Sequence, residues 1–223
     1  MPNPVNVVIP TKSNFTGLAE LLSDLSLEPA VGTICIVADG QAAFDALPDL
    51  PDHIIKILVP EGVGIQYMWN RGIEAVGRDA HIAFLNDDVR LGPKCLSSLA
   101  SSLSTDPSIG IICPNYSTVE MTEDRQVFNT CGSRYDGTGG LAGFAMMLRS
   151  DLVKFWNFDE NLTWWYGDDD VLLWVTKTTG LRAVIAHQAR CHHADSVTIR
   201  TNPPENFGRL VAEDREYFRA KWL

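Results

Sequence analysis

The chain has no long hydrophobic run, no surplus of basic residues and no ordered cysteine pattern, and each absence removes a class of function. No apolar stretch reaches the ~20 residues that span a bilayer. The opening, MPNPVNVVIP, lacks the basic start and extended apolar segment of a secretory signal. Five cysteines (Cys35, Cys95, Cys113, Cys131, Cys191) are scattered without a CxxC pair. That argues against a disulfide frame or a zinc site and for a reducing compartment, so the expectation is a cytoplasmic protein with no membrane span. The formal charge is −10, whereas binding a nucleic-acid backbone calls for a basic face. No nucleic acid partner is expected. A nucleotide is compatible, because one metal ion and a few local positive groups can hold it. With no internal repeat and no low-complexity linker, the 223 residues read as one domain.

What is present is an alternation of short apolar runs and amphipathic segments. Val5 to Ile9, Thr33 to Val37, Ile54 to Val59 and His81 to Leu85 read as buried strands. Between them, residues 14–27 and 65–77 carry apolar side chains at helical spacing, with Asn14 or Thr16 able to cap and Gly77 as a stop. Further on, a helix over 93–104, a strand over Ile109–Cys113 and a long loop with a hairpin over 115–140 are expected. A strand over Phe144–Leu148, a helix over 169–179, a strand over Ala183–Ala186 and a final amphipathic helix to about Trp222 follow. This is the rhythm of an α/β fold, a mostly parallel central sheet flanked by helices. In such sheets ligands bind beyond the carboxyl ends of the strands, and Asp39, Asp87 and Asp88 all fall there. Adjacent carboxylates repel one another and resist burial, so such a pair either faces water or holds something positive.

Six segments carry a resemblance, in order along the chain. VNVVIPTKSN (5–14), GVGIQYMWNRGIEAV (62–76), FLNDDV (84–89), TGGLAGFAMMLRSD (138–151), FWNFDENLTWWYGDDDVLL (155–173) and CHHADS (191–196) resemble motifs of inverting nucleotide-sugar glycosyltransferases of family two. The resemblance implies a single Rossmann-like GT-A domain over 1–223. About 1–90 would form the nucleotide-binding half, and about 91–223 the acceptor-binding half with a C-terminal lid and helix. It implies transfer of a sugar from a nucleotide-diphosphate donor to a hydroxyl acceptor, whether glycan, protein or small molecule, with Mn²⁺ or Mg²⁺ as cofactor. Carboxylates suit such hard cations, which neutralise the charge of a departing diphosphate.

On that resemblance Asp88 is the direct metal ligand, and Asn86 and Asp87 contact the ribose or donor sugar, or ligate through water. One of His192 and His193 completes the metal site; adjacent strand residues point oppositely, so only one should face it. Asp39 reads the nucleotide base, Pro10 and Thr11 line the same pocket, and Asn70 and Arg71 contact nucleotide or phosphate. Gly140 allows close approach to the donor sugar. The cluster Asp168, Asp169 and Asp170 supplies the catalytic base: counting from Phe158-Asp159-Glu160 selects Asp168, whereas aligning the acidic triplet itself selects Asp169. Their bland reading is helix capping, since carboxylates gain from a helix N-terminus. Trp164 and Trp165 offer apolar faces for a sugar acceptor. The competing functions are a non-catalytic carbohydrate- or nucleotide-binding protein on the same fold and a sugar nucleotidyltransferase. The latter normally has a glycine-rich, basic loop after its first strand, where this chain has PTKSNFTGL.

Overall fold

A computed structural model describes residues 4–51, 53–118, 120–130, 140–194 and 205–223. The first strand, β1 (Val5–Thr11), is buried throughout and pairs in parallel with β2 (Val31–Asp39) on one side and β4 (His81–Leu85) on the other. The edge strand β3 (Ile54–Val59) adds in parallel to β2. Beyond β4 the sheet continues through β8 (Ala145–Leu148), β6 (Ile109–Asn115) and β9 (Arg182–His193) to β5 (Val89–Leu91), while β7 (Arg125–Val127) pairs with β9. Strand β8 runs antiparallel between β4 and β6, and β6 with β9 restores a parallel pair. The sheet is mixed, with its parallel character concentrated in the first half.

Strand periodicity sends alternate side chains to opposite faces. Val5, Val7, Ile9, Ile34 and Ile36 form one core with Leu18, Leu21 and Leu25 of α1 (Phe15–Leu25), Ala43 of α2 (Gln41–Asp45) and Leu96 and Leu99 of α4 (Cys95–Thr105). Val8, Cys35 and Val37 form the other with Met68, Trp69 and Ile73 of α3 (Ile65–Val76), Leu152 and Val153 of α5 (Ser150–Val153) and Val171 and Leu172 of α6 (Gly167–Leu173). Helix α7 (Phe207–Trp222) closes the described chain. No helix among the described residues is long and apolar enough to cross a membrane.

Three elements depart from the sequence expectation. The expected helix over 169–179 is α6 followed by a π-turn at Trp174–Thr178. The expected strand over Ala183–Ala186 extends to His193: its register on β6 jumps from Ala186 to Arg190, and Cys191 to His193 then pair with β5. Its buried run and its alternating run are one strand with two different surroundings, which no single periodicity reports. Among the described residues of the 115–140 segment, β7 pairs with distant β9 rather than within a local hairpin.

The Asn70-Arg71-Gly72 motif owes its glycine to packing. A Cβ on Gly72 would lie 2.1 Å from Val8 Cγ1, so only glycine lets α3 sit this close to β1. Gly72→Val is expected to lower stability by about 1–3 kcal/mol through overpacking, measured as a shift of the urea midpoint at unchanged slope.

Candidate active site

The strand order reverses between β1 and β4, and the tips of these two strands meet. Thr11 Oγ1 at the end of β1 donates to Asp87 Oδ2 at 2.7 Å, and Asn14 Nδ2 donates to the Asp87 carbonyl at 3.1 Å. Asn14 also accepts from Gly17 N at 3.2 Å, so the residue that caps α1 holds the acidic turn as well. Burial pushes the Asp87 carboxyl up to about 7; the Thr11 hydroxyl opposes this and the neighbouring Asp88 charge adds to it. Pro10, without an N–H, sits past the end of the β4 pairing, where no ladder bond on that side is lost.

Asp88 and His193 face each other. His193 Nε2 lies 3.0 Å from Asp88 Oδ1 without aligning as a hydrogen-bond donor, and both side chains are largely buried. The strand pairing that puts His193 opposite Val89 puts His192 opposite Arg90, where it is exposed. Of the two candidate histidines, only His193 joins Asp88. The His193 ring lies flat on Phe144, with centroids 4.0 Å apart and planes 2° apart, and Tyr116 meets the Phe144 ring edge-on at 5.4 Å. Phe144 O accepts from Asn86 N at 2.9 Å.

The residue before Phe144 reaches the second acidic cluster. A Cβ on Gly143 would stand 2.4 Å from Asp168 Oδ2, so the missing side chain is the space the carboxyl occupies. Burial raises the Asp168 carboxyl above its ordinary value. Asp169 accepts from Thr130 Oγ1 at 2.9 Å and is pushed up to about 7, by burial first and by the Asp168 charge second. Asp170 belongs elsewhere: fully buried, it is bound by Lys221 Nζ at 2.8 Å and Trp222 Nε1 at 2.6 Å. Within the triplet, Asp168 packs against Gly143, Asp169 bonds Thr130 and Asp170 bonds Lys221 and Trp222.

The other candidates have the following partners. Asn70 donates to Phe158 O at 2.9 Å and Glu160 Oε1 at 2.8 Å, and accepts from Phe158 N at 2.8 Å. Arg71 pairs with Glu74 at 2.9 Å and lies over the Tyr67 ring. The Asn70 contacts join α3 to the 158–160 loop, whereas those of Arg71 with Glu74 and Tyr67 stay on α3. Gly140 packs against the Asn129–Thr130 backbone and exchanges hydrogen bonds with the Tyr116 hydroxyl at 2.9 and 3.1 Å. Asp39 accepts from Gly62 N at 2.6 Å and lies 3.3 Å from Lys12 Nζ, which is also 3.3 Å from Glu61. Burial disfavours the Lys12 ammonium, but the two carboxylates outweigh it and hold its pKa above the ordinary value. Trp165 is partly exposed and meets Phe207 edge-on, whereas Trp164 is half-buried. Gly139 lies outside the described residues. Lys12, Tyr116, Thr130 and Phe144 were not singled out in the sequence. Only Lys12, directly after the first strand, had a position to suggest it.

Among the described residues, no group of three or more His, Cys, Asp or Glu side chains stands ready to enclose an ion. One carboxylate oxygen and one imidazole nitrogen at 3.0 Å nevertheless fit a cation that leaves most of its coordination to phosphate oxygens and water.

The family model described as glycosyl transferase family 2 matches residues 6–154. The chain belongs to glycosyl transferase family 2. No curated protein matches this family 2 chain. Among solved structures, GalNAc-T7 with UDP, GalNAc and Mn²⁺ is similar at a TM-score of 0.64 and 13% identity, covering 97% of this chain and 49% of its own. The mannosyltransferase PcManGT from Pyrobaculum calidifontis in complex with GDP-Man and Mn²⁺ follows at 0.61 and 15%, covering 87% and 57%. S. aureus TarS 1-349 gives 0.59 and 13%, covering 96% and 70%. The chain thus spans about half the length of the first two. These likenesses establish a shared GT-A fold.

The Thr130 contact yields a pH-dependent expectation. The folded-state pKa of Asp169, about 7, lies above the ordinary carboxyl value of ~3.9, so its stabilising contribution is lost as pH rises through that window. Thr130 favours the ionised form and matters most above pH 7. Thr130→Val should therefore cost about 1.5–3 kcal/mol in urea unfolding at pH 8 and clearly less at pH 5.

Proposed function

We propose that this family 2 domain is a metal-dependent inverting glycosyltransferase moving a sugar from a nucleoside-diphosphate donor to a hydroxyl acceptor. The observation that supports it is the convergence of two acidic clusters on adjacent residues, Gly143 and Phe144. On this reading residues up to about 90 form the nucleotide half and the remainder the acceptor half of one domain. Asp88 and His193 hold Mn²⁺ or Mg²⁺; bound there, the cation offsets the charge that grows on the departing diphosphate. The structurally similar proteins crystallised with UDP or GDP-Man together with Mn²⁺ support a donor of that class.

The chain's own residues supply the remaining chemistry. Thr11 and Asn14 set the orientation of the Asp87–Asp88 turn. Asp39 with Lys12 presents an acceptor beside a donor at the base pocket. Asp169 takes the proton of the attacking hydroxyl. A carboxyl with a pKa of about 7 suits that role near neutrality, because a substantial fraction is ionised while it stays basic enough to accept a proton. Asp168 next to it keeps that basicity high, so the pair titrates as a unit. The hydroxyl attacks the anomeric carbon in line with the leaving diphosphate, which inverts its configuration. Trp165, partly exposed and a few residues before the acidic pair in sequence, supplies an apolar face for a sugar acceptor.

Two measurements test this. Mn²⁺ added together with UDP or GDP should raise the melting temperature of the unsubstituted protein and of His192→Ala, but not of Asp88→Ala or His193→Ala. No shift in any of them would favour a non-catalytic module. Release of nucleoside diphosphate from UDP-GlcNAc, UDP-glucose or GDP-mannose should rise with unit slope up to about pH 7 and then level. Asp169→Asn should abolish that limb while keeping the melting shift. If Asp168→Asn does so instead, the base is Asp168.

A further inference from the structure

We infer that helix α7 is a positioning device for the acceptor-side carboxylates, with Asp214 as its central positioning residue; this rests on the reading of the Asp168–Asp169 pair as the seat of the base. Asp214 is 3% exposed, and its carboxylate accepts from three consecutive backbone amides. Thr163 N lies 2.9 Å from Oδ1, and Trp164 N and Trp165 N each lie 2.8 Å from Oδ2. These are charge-assisted bonds, stronger than neutral ones. Residues 163–165 lead through Tyr166 directly into α6, which carries the pair. Tyr166 has φ +64°, a left-handed backbone that a bulky residue adopts only when its surroundings impose it.

Helix α7 supplies those surroundings. Phe218, one turn beyond Asp214 on the same face, stacks on the Tyr166 ring at 5.1 Å and 22°. A turn further, Lys221 and Trp222 bind Asp170 on the far side of the pair. Lys221 also reaches Asp159 at 2.9 Å, and the Tyr217 hydroxyl donates to Asp159 at 3.0 Å. The segment from Asp159 to Asp170 is therefore held on both flanks of the base by one helix. The buried positions of α7 are Asp214 and Phe218, with Phe207, Leu210, Val211 and Trp222 half-buried around them. What α7 adds is directed polar contact, and the contacts end on the turn that aims Asp168 and Asp169. Helix α7 also lies outside residues 6–154, which match the family model.

Asp214→Asn keeps the shape but turns one acceptor into a donor facing an amide; Lys221→Met loosens the opposite flank as a second variant. Turnover would be followed as nucleoside diphosphate released from UDP-GlcNAc, UDP-glucose and GDP-mannose. Donor-side binding would be read as the melting shift given by Mn²⁺ with UDP or GDP, and local order as hydrogen exchange of amides 163–170. The inference expects turnover to fall by about 10²-fold in Asp214→Asn, with the melting shift unchanged and exchange faster only over 163–170. Unchanged turnover overturns it, as does exchange that rises equally in β1 and β4. Should Asp168→Asn and Asp169→Asn both turn over normally, the base reading falls. Exchange over 163–170 then still decides whether α7 holds this turn, faster exchange supporting it and unchanged exchange overturning it.

Discussion

The site depends on one short contact: a backbone that passes between two acidic clusters with almost no side chain in the way. Gly143 yields its Cβ volume to Asp168, and Phe144 presents its carbonyl to Asn86 and its ring to His193. These two residues just precede β8, the antiparallel strand wedged between β4 and β6. A larger residue at 143 would push the Asp168 carboxyl away. A different register of β8 would separate the histidine plate from the turn it faces. The convergence is thus a property of sheet topology more than of any loop.

The electrostatics follow from the same crowding. Asp87, Asp168 and Asp169 are desolvated carboxyls whose affinity for a proton is raised, and Asp88 is buried among them in a chain already carrying −10. Concentrating acidic groups in this way is unfavourable unless positive charge arrives, as a proton, a cation or both. The anchoring carboxylates show the contrast. Asp170 and Asp159 have Lys221, Asp39 has Lys12, and Asp214 has three amides. Among the described residues, Asp168 meets backbone amides, and Asp87 and Asp169 meet neutral hydroxyl and amide donors, with no cationic side chain beside them.

Much of this could be read along the chain, for reasons that differ by element. The parallel half was legible because its strands are continuous apolar runs and its helices are strongly amphipathic, both local patterns. The NDD turn was legible because it breaks such a run. Asn70, Arg71 and Asp170 were singled out by motif, and their partners Phe158, Glu74 and Lys221, the first and last far away in sequence, are not legible in any local pattern. Asp214 gave no signal at all: an acidic residue in a charged helix is ordinarily solvated, and only docking of α7 turns this one inward.

The amino-acid order by itself determined the layered α/β architecture, the acidic strand tips and the alternation that lets only one of two adjacent histidines face inward. Those are consequences of local sterics and of burying apolar surface. Tertiary structure decided that His193 rather than His192 meets Asp88, that Asp168 packs on Gly143 while Asp170 is bound by the C-terminal helix, and that this helix grips the turn before α6. Each of those outcomes depends on a partner tens of residues away, and long-range partners exist only once the sheet has chosen its register.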